Sequence, residues 1–305
     1  MFTVPDEYVA QFGAEELAER GDWLAALPGT AARYARRWSL REDGVPLYGY
    51  VGVVWPVRRA DGTPAMLKVS WPHDEATDEA VALATWAGDG TVRLLDHDVD
   101  DYVLLLERLD PHHSLNEEPI DVAVGTAGRL LRRLTVPAPP LHRTVTGAAA
   151  RWVERLPVYA RSLGDPVPAR MLDAAVDICR ELGPKAGSLL VNEDLHYFNV
   201  LRGEREPWLL IDPKPIGGDP EFAVIPLLWN RFREMNGRRE IVARFDAIVR
   251  AAGLDAELAR AWTLARAVAN WLWSVQDDSI PHANAVAGIA AAMIDEPLVG
   301  PPRRA

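Results

Sequence analysis

The chain has 305 residues, of which 49% are hydrophobic and 25% are charged, so it can bury a sizeable core and is long enough for two lobes. Its formal net charge of -11 at pH 7 disfavours nucleic acids and anionic membranes as partners, because their phosphate groups are negative as well. Cys179 is the one cysteine, which excludes a disulfide framework or a thiolate metal centre. It lies among apolar residues at helical spacing, which favours buried packing.

The first third of the chain combines helical and strand patterns. The predicted elements are, in chain order, amphipathic helices near 6–37, strands at 50–57 and 64–70, a helix at about 74–87, and strands at 91–96 and 102–107. The Asp61-Gly62 turn joins the first two strands into a hairpin, and Lys68 lies in the second of them. An antiparallel sheet is therefore expected in this part of the chain.

After Asp110-Pro111 the pattern becomes mostly helical. Helices are predicted over 117–134, 147–162, 168–182 and much of 222–294, with short strands between 188 and 211. The longest apolar run, 285–294, is too short to span a bilayer, so we expect a cytoplasmic protein. The change of pattern predicts an α+β fold with two lobes: a small N-terminal lobe with an antiparallel sheet, residues 1–107, and a larger, mostly helical C-terminal lobe, residues 108–305.

Acidic and amide residues follow two short strands of the second lobe. Asp194 and Asn199 are the ends of the run Asp-Leu-His-Tyr-Phe-Asn, and Asp212 follows the apolar residues 209–211. Phosphoryl transfer needs a carboxylate that orients and deprotonates the attacking hydroxyl, and it needs oxygen ligands for Mg²⁺. Asp194 suits the first task, and Asn199 and Asp212 suit the second. Each residue alone is also typical of a turn, but their combination favours a catalytic site.

Two segments resemble the signature motifs of the aminoglycoside phosphotransferases. Residues 192–199 are similar to their catalytic loop, H-G-D-L-H-x-x-N, and residues 211–220 resemble their magnesium motif, I-D-x-x-x-x-x-G-D-P. The strings at 88–98, 105–110 and 204–208 look like those of the streptomycin 6-kinase and hydroxyurea antibiotic resistance kinase branch. The resemblance covers almost the entire chain and implies a bilobal, protein-kinase-like fold.

In the second lobe, the resemblance implies a role for each residue of the motifs. Asp194 would be the catalytic base, and Asn199 and Asp212 would bind Mg²⁺. His196 and Asp219 would be structural supports. Lys214, two residues past Asp212, is either a phosphate contact or an ordinary surface lysine.

In the first lobe, the resemblance implies contacts to ATP. Lys68 would hold the α and β phosphates and pair with a helix acid, for which Glu79 is the first choice and Glu75 the alternative. The other residues expected to bind the nucleotide are Gly49 and Gly52 of the loop at 47–52 and Glu107 and Leu109 of a hinge whose backbone meets adenine.

Two features depart from the family pattern. Asn192 and Glu193 stand where the family has histidine followed by a small or aromatic residue, and the loop at 47–52 lacks the G-x-G-x-x-G form. Glu193 adds a negative charge beside Asp194, which would raise the pKa of Asp194 if the two carboxylates approached closely. A degenerate kinase that binds nucleotide without turnover is therefore an alternative.

The acceptor is expected over the C-terminal helices, as the resemblance implies. Asn270, Trp273 and Asp277 share one face of a predicted helix, and Asp278 follows them. An aromatic ring beside carboxylates suits a cationic substrate, whereas the alternative is that the tryptophan packs and the aspartates cap the helix.

Together these residues predict an O-phosphotransferase that uses ATP and Mg²⁺ on a hydroxyl of a small antibiotic. An aminoglycoside of the streptomycin type is the first choice of acceptor, and hydroxyurea or another small hydroxylated metabolite is the alternative. We expect a monomer or weak dimer without nucleic acid or membrane partners. The phosphorylated hydroxyl and the preference for ATP over GTP are left open.

Overall fold

A computed structural model describes residues 2–294 and divides into two compact units. The first unit contains the chain up to Asp110 together with Gly203–Arg205, and the second contains Pro111–Arg202 and the chain from Glu206 onward. None of the helices within residues 2–294 has both the length and the apolarity that a membrane span requires.

The first unit is an antiparallel sheet with helices. Its elements are α1 (Asp6–Ala10), α2 (Ala14–Arg37), β1 (Arg41–Glu42), β2 (Leu47–Tyr48), β3 (Gly52–Arg58), β4 (Pro64–Ser70), α3 (Glu79–Trp86), β5 (Leu94–Asp98) and β6 (Val103–Glu107). The strand order is β1-β3-β4-β6-β5, and β2 pairs with β3 as well. In the hairpin of β3 and β4, Val54 lies opposite Lys68, and Thr63 N–H donates to Asp61 Oδ1 (2.9 Å) at the turn.

The alternation of side chains along β3 and β4 decides which residues this sheet buries. Successive side chains of a strand point to opposite faces, and the apolar set of the two strands packs against one stripe of α2. That core contains Val53, Trp55 and Val57 of β3, Ala65, Leu67 and Val69 of β4, and Leu27, Ala31, Tyr34 and Ala35 of α2. Lys68 lies between Leu67 and Val69 in sequence, so its side chain leaves the sheet on the other face.

The apolar spacing predicts that the helix after β4 begins near residue 74. In the structure it begins at Glu79. The intervening residues form short turns instead. Ala76 N–H donates to His73 O (3.0 Å) and Glu79 N–H donates to Ala76 O (3.2 Å), and each bond closes a four-residue turn. The first residue of α3 is therefore the acidic residue itself.

The second unit is mostly helical and holds two small three-stranded sheets. Its elements are β7 (Asp110–Ser114), α4 (Ile120–Leu134), β8 (Val136–Pro137), α5 (Val145–Ser162), α6 (Ala169–Leu182), β9 (Leu189–Asn192), β10 (Val200–Arg202), β11 (Leu209–Leu210), β12 (Pro215–Gly218), α7 (Pro226–Trp229), α8 (Arg238–Ala252), α9 (Ala256–Gln276) and α10 (Ile280–Ile294). The sheets have the orders β11-β10-β7 and β12-β9-β8.

Helix α9 is buried over most of its surface and packs against α5, α6 and α10. Cys179 of α6 is buried, as predicted, and burial raises the pKa of its thiol to about 12. Strand β12 approaches the start of α5 so closely that a Cβ at Gly218 would stand 2.3 Å from Val145 Cγ2. The glycine of the G-D-P motif is thus required by packing.

Candidate active site

Lys68 and Glu79 form a buried ion pair in the first unit. Lys68 is 6% exposed, and its Nζ donates to Glu79 Oε1 (2.7 Å) and Oε2 (2.8 Å). Glu79 opens α3, where the positive end of the helix dipole favours a carboxylate. The acid that the structure pairs with Lys68 is therefore the first choice of the sequence analysis. The role of the pair toward ATP stays a prediction.

The two glycines of the predicted nucleotide loop have different surroundings. At Gly52 a Cβ would stand 2.8 Å from the carbonyl oxygen of Val69, so the pairing of β3 with β4 leaves no room for a side chain. Gly49 has open space around it, and its N–H donates to Gly52 O (3.1 Å) to close the turn. Gly49 is thus the residue of the pair whose surroundings leave its backbone accessible.

Helix α2 braces this loop through Arg20, which the sequence analysis did not single out. Arg20 Nη1 donates to Tyr50 O (3.2 Å), and its guanidinium carbon lies 4.6, 5.2 and 5.4 Å from the ring centroids of Phe12, Tyr50 and Trp71. The hydroxyl of Tyr50 donates to Glu16, which also pairs with Arg20 (3.8 Å). Glu16 lies one helical turn from Arg20, but Tyr50 and Trp71 come from distant segments, which no local pattern could have revealed.

Glu107, predicted as a hinge residue, uses its carboxylate to fix neighbouring backbone. It accepts from Arg93 N–H (3.0 Å) and from Arg205 Nε (3.0 Å), and Arg205 Nη1 donates to Gly88 O (2.7 Å). Leu109 is buried. An adenine contact at these positions would therefore fall to the main chain, as the resemblance implies.

In the second unit, Asn192 ties the loop that carries Asp194 to the start of β12. Asn192 is 1% exposed, and its Oδ1 accepts from both Asp194 N–H (3.2 Å) and Lys214 N–H (2.9 Å). Glu193 N–H donates to Lys214 O (3.0 Å). The backbones of residues 192–194 and 214 are consequently locked together.

The negative charge of Glu193 is compensated by arginine. Its carboxylate forms an ion pair with Arg143 and lies 4.0 Å from Arg266 Nη2. Arg266 Nη1 also donates to Glu193 O (3.0 Å). The sequence shows an acid beside Asp194 but does not reveal these two cations, because they come from α9 and from the loop before α5.

Asp194 lies within a small group of titratable side chains. Its Oδ2 is 3.1 Å from Lys214 Nζ and 3.9 Å from His196 Nε2. Burial lowers the pKa of His196, and the nearby carboxylates of Asp194 and Asp212 oppose that shift. The imidazole is therefore neutral at neutral pH, which suits the predicted supporting role better than that of a cation.

Asn199 and Asp212 stand next to each other across β10 and β11. Ile211 N–H donates to Asn199 O (2.8 Å), and Asp212 has a φ of 49°, in the left-handed region that few non-glycine residues adopt. One amide oxygen and one carboxylate at the same sheet edge fit Mg²⁺, which takes few protein ligands and completes its shell with phosphate and water. Residues 2–294 contain no cluster of three or more His, Cys, Asp or Glu residues placed to hold a metal ion.

Asp219 joins three parts of the second unit. Its Oδ1 accepts from Gly187 N–H (2.8 Å) and its Oδ2 accepts from Trp262 Nε1 (3.0 Å). The carboxylate is buried at the end of β12, and it links that end to α9 and to the segment before β9. These bonds are those of a structural residue.

The predicted acceptor residues lie at the end of α9, and two of them face α5. Trp273 is 40% exposed, and its ring stands 6.0 Å from that of Trp152, edge to face. Burial raises the pKa of Tyr159, and the negative charge of Asp277 raises it further. Asp278 turns the chain away with a φ of 52°.

The amide of Asn270 donates to Arg266 O (2.8 Å) of its own helix, so this side chain is partly committed there. The α5 residues Trp152 and Tyr159 were missed, because periodicity does not say which helices are neighbours.

The comparisons with known proteins agree with this geometry. A family model described as aminoglycoside/hydroxyurea antibiotic resistance kinase matches residues 37–278. Streptomycin 6-kinase of Streptomyces griseus is 40% identical over 95% of this chain and 96% of its own length. Hydroxyurea phosphotransferase of Kitasatospora aureofaciens is 43% identical over 85% of this chain and 76% of its own.

Solved structures show the same fold. A ternary complex of an aminoglycoside phosphotransferase with ADP and hygromycin B superposes with a TM-score of 0.60 at 16% identity, covering 86% of this chain and 97% of that one. Choline kinase LicA from Streptococcus pneumoniae gives 0.56 at 13% identity, covering 86% and 99%. The predicted α+β, protein-kinase-like fold and the predicted class of enzyme, a phosphotransferase with a hydroxyl acceptor, are confirmed. The chain belongs to the aminoglycoside/hydroxyurea antibiotic resistance kinase family.

Proposed function

We propose that this protein transfers the γ-phosphoryl group of ATP to a hydroxyl group of a cationic aminoglycoside of the streptomycin type. The observation that carries the proposal is the arrangement in the second unit, where the Asp194 loop and the Asn199–Asp212 edge belong to one hydrogen-bonded framework. The names of the relatives from Streptomyces support this acceptor class.

Asp194 is the proposed base in this reaction. It orients the acceptor hydroxyl and takes its proton, while Asn199 and Asp212 hold the metal ion that accompanies the nucleotide. Bound Mg-ATP supplies the electrophilic phosphorus and part of the charge neutralisation. His196 and Asp219 support the loop and the strand that carry these groups.

On the nucleotide side, Lys68 holds the phosphates, and Glu79 keeps its ammonium group oriented. The double hydrogen bond between them fixes the lysine rotamer, which is why we assign this pair to ATP rather than to stability alone. Backbone groups at Gly49, Glu107 and Leu109 complete the proposed contacts, and Gly52 shapes the loop.

For the acceptor, Trp273 and Asp277 offer a ring and a carboxylate on one helix face. Guanidinium groups stack on tryptophan and pair with carboxylates, which suits streptomycin. Asp278 lies next in the chain. Asn270 offers the part of its side-chain amide that does not bond to Arg266 O. Hydroxyurea carries no such cation, but the 43% identical relative keeps it as the second candidate acceptor.

An acceptor screen tests the proposal. Purified protein, Mg-ATP and either streptomycin or hydroxyurea are incubated, and the product is identified by mass spectrometry and by phosphorus NMR for the position of the phosphate. We expect streptomycin to gain one phosphate, and Asp194→Asn to lower kcat by about 10³-fold or more at an unchanged melting temperature. Transfer to hydroxyurea alone would select the second candidate. A folded protein that binds ATP and phosphorylates neither compound would support the degenerate alternative.

A further inference from the structure

Lys214 is one of only three lysines in the chain, with Lys68 and Lys185, among 33 lysines and arginines. Its Nζ stands 3.1 Å from Asp194 Oδ2, the carboxylate that we assign as base. A compact ammonium group in a chain that uses arginine nearly everywhere else calls for an explanation, because an arginine pairs with a carboxylate at least as well.

Hydrogen bonds to the loop at 192–194 hold the backbone of Lys214 in place. Its N–H donates to Asn192 Oδ1 (2.9 Å), its carbonyl accepts from Glu193 N–H (3.0 Å), and the same Asn192 oxygen holds Asp194 N–H. Its backbone is therefore fixed relative to the base, while its side chain is 31% exposed. Such an ammonium group can exchange one oxygen partner for another.

The distances of the reaction define where that second partner lies. A base stands about 2.6–3.2 Å from the oxygen it deprotonates, and the attacking oxygen stands about 3–3.5 Å from phosphorus. The ammonium group of Lys214 is one ion-pair distance from the base, so the transferred phosphoryl group is within reach of a change in its rotamer. The transition state spreads negative charge over three phosphoryl oxygens, and a nearby cation stabilises it.

We propose that Lys214 is a catalytic residue that leaves Asp194 and binds a γ-phosphoryl oxygen when ATP and the acceptor are both present. This inference rests on the proposed function. The acceptor oxygen forms a bond to the γ phosphorus, the bond from that phosphorus to the bridging oxygen breaks, and ADP leaves with the electron pair. The acceptor proton passes to Asp194, whose carboxylate is released by the movement of Lys214. Lys214 stays protonated throughout.

The test compares Lys214→Met with Lys214→Arg and with Lys185→Met, a matched loss of charge at an exposed lysine of the same unit. We expect Lys214→Met to lower kcat by about 10²–10³-fold with the KM of the acceptor within a few fold. Lys214→Arg should recover part of the rate, and Lys185→Met should leave it unchanged. An unchanged kcat in Lys214→Met, or a change confined to KM, overturns the proposal.

A second measurement does not depend on turnover. Aluminium fluoride with ADP mimics the transferring phosphoryl group, and titration calorimetry gives the gain in ADP affinity that it produces. We expect this gain in the wild-type protein and in Lys214→Arg, and its loss in Lys214→Met with the affinity for ADP alone preserved. An equal gain in Lys214→Met, or no gain in the wild type, overturns the assignment. If Lys214→Met does not fold, Lys214→Arg is measured instead, and the absence of the gain in ADP affinity in that variant overturns the assignment. If the wild type phosphorylates no acceptor yet shows the gain, the proposed acceptor is wrong and the assignment of Lys214 stands.

Discussion

Replacing Glu79 by Ala removes one partner of an ion pair whose side chains are 8% (Lys68) and 5% (Glu79) exposed. The remaining ammonium group stays buried without the two hydrogen bonds of 2.7 and 2.8 Å, and such a loss typically costs about 3–5 kcal/mol of unfolding free energy. Lys68→Met leaves the carboxylate in the same position and should cost a similar amount. The double variant Lys68→Met/Glu79→Leu replaces both charges by apolar groups of similar size, and we expect it to lie within about 1.5 kcal/mol of the wild type.

Urea unfolding followed by tryptophan fluorescence measures these free energies, and steady-state kinetics with ATP measures function. The double variant should fold and yet lose at least about 10² in kcat/KM for ATP, since the charge that we assign to the phosphates is gone. Two results would refute the reasoning. A single variant within about 1 kcal/mol of the wild type would mean that the pair is hydrated, and an active double variant would mean that Lys68 does not serve the nucleotide.

Three further predictions concern the surroundings of the site. Arg20→Met removes the contacts to three rings and to Tyr50 O, so it should lower the free energy of unfolding in urea by about 1–3 kcal/mol. It should also raise the KM for ATP several fold with little change in kcat. An unchanged KM would show that Arg20 does not act on the nucleotide loop. Gly218→Ala should cost at least about 1–3 kcal/mol in the same assay, since its Cβ would overlap Val145, and a neutral result would show that β12 can shift. Cys179, with a thiol pKa of about 12, stays protonated at pH 8 and should react with a thiol reagent only after unfolding, whereas prompt reaction of the native protein would contradict its burial.

The sequence could predict those features that depend on residues close together in the chain. The hairpin carrying Lys68 follows from alternation and an Asp-Gly turn, and the Asp194 loop follows from its own six residues. What it could not predict are partners from distant segments. Arg205 reaches Glu107 from 98 residues away, and Arg143 meets Glu193 through the packing of separate elements. Periodicity states which face of a helix or strand is apolar but carries no information about which other element covers it.

The replacement of the family's histidine by Asn192 has a chemical reason in this geometry. A neutral imidazole has one acceptor nitrogen, whereas an amide oxygen has two lone pairs. Asn192 Oδ1 uses both, for Asp194 N–H and Lys214 N–H, so a histidine there could hold only one of the two backbones. The acid that follows, Glu193, is paired with Arg143 and lies near Arg266, so it adds no uncompensated charge beside Asp194, the proposed base. Asn192 and Glu193, which motivated the degenerate alternative, are therefore both accommodated: the amide joins the backbones of Asp194 and Lys214, and the carboxylate is paired with arginine.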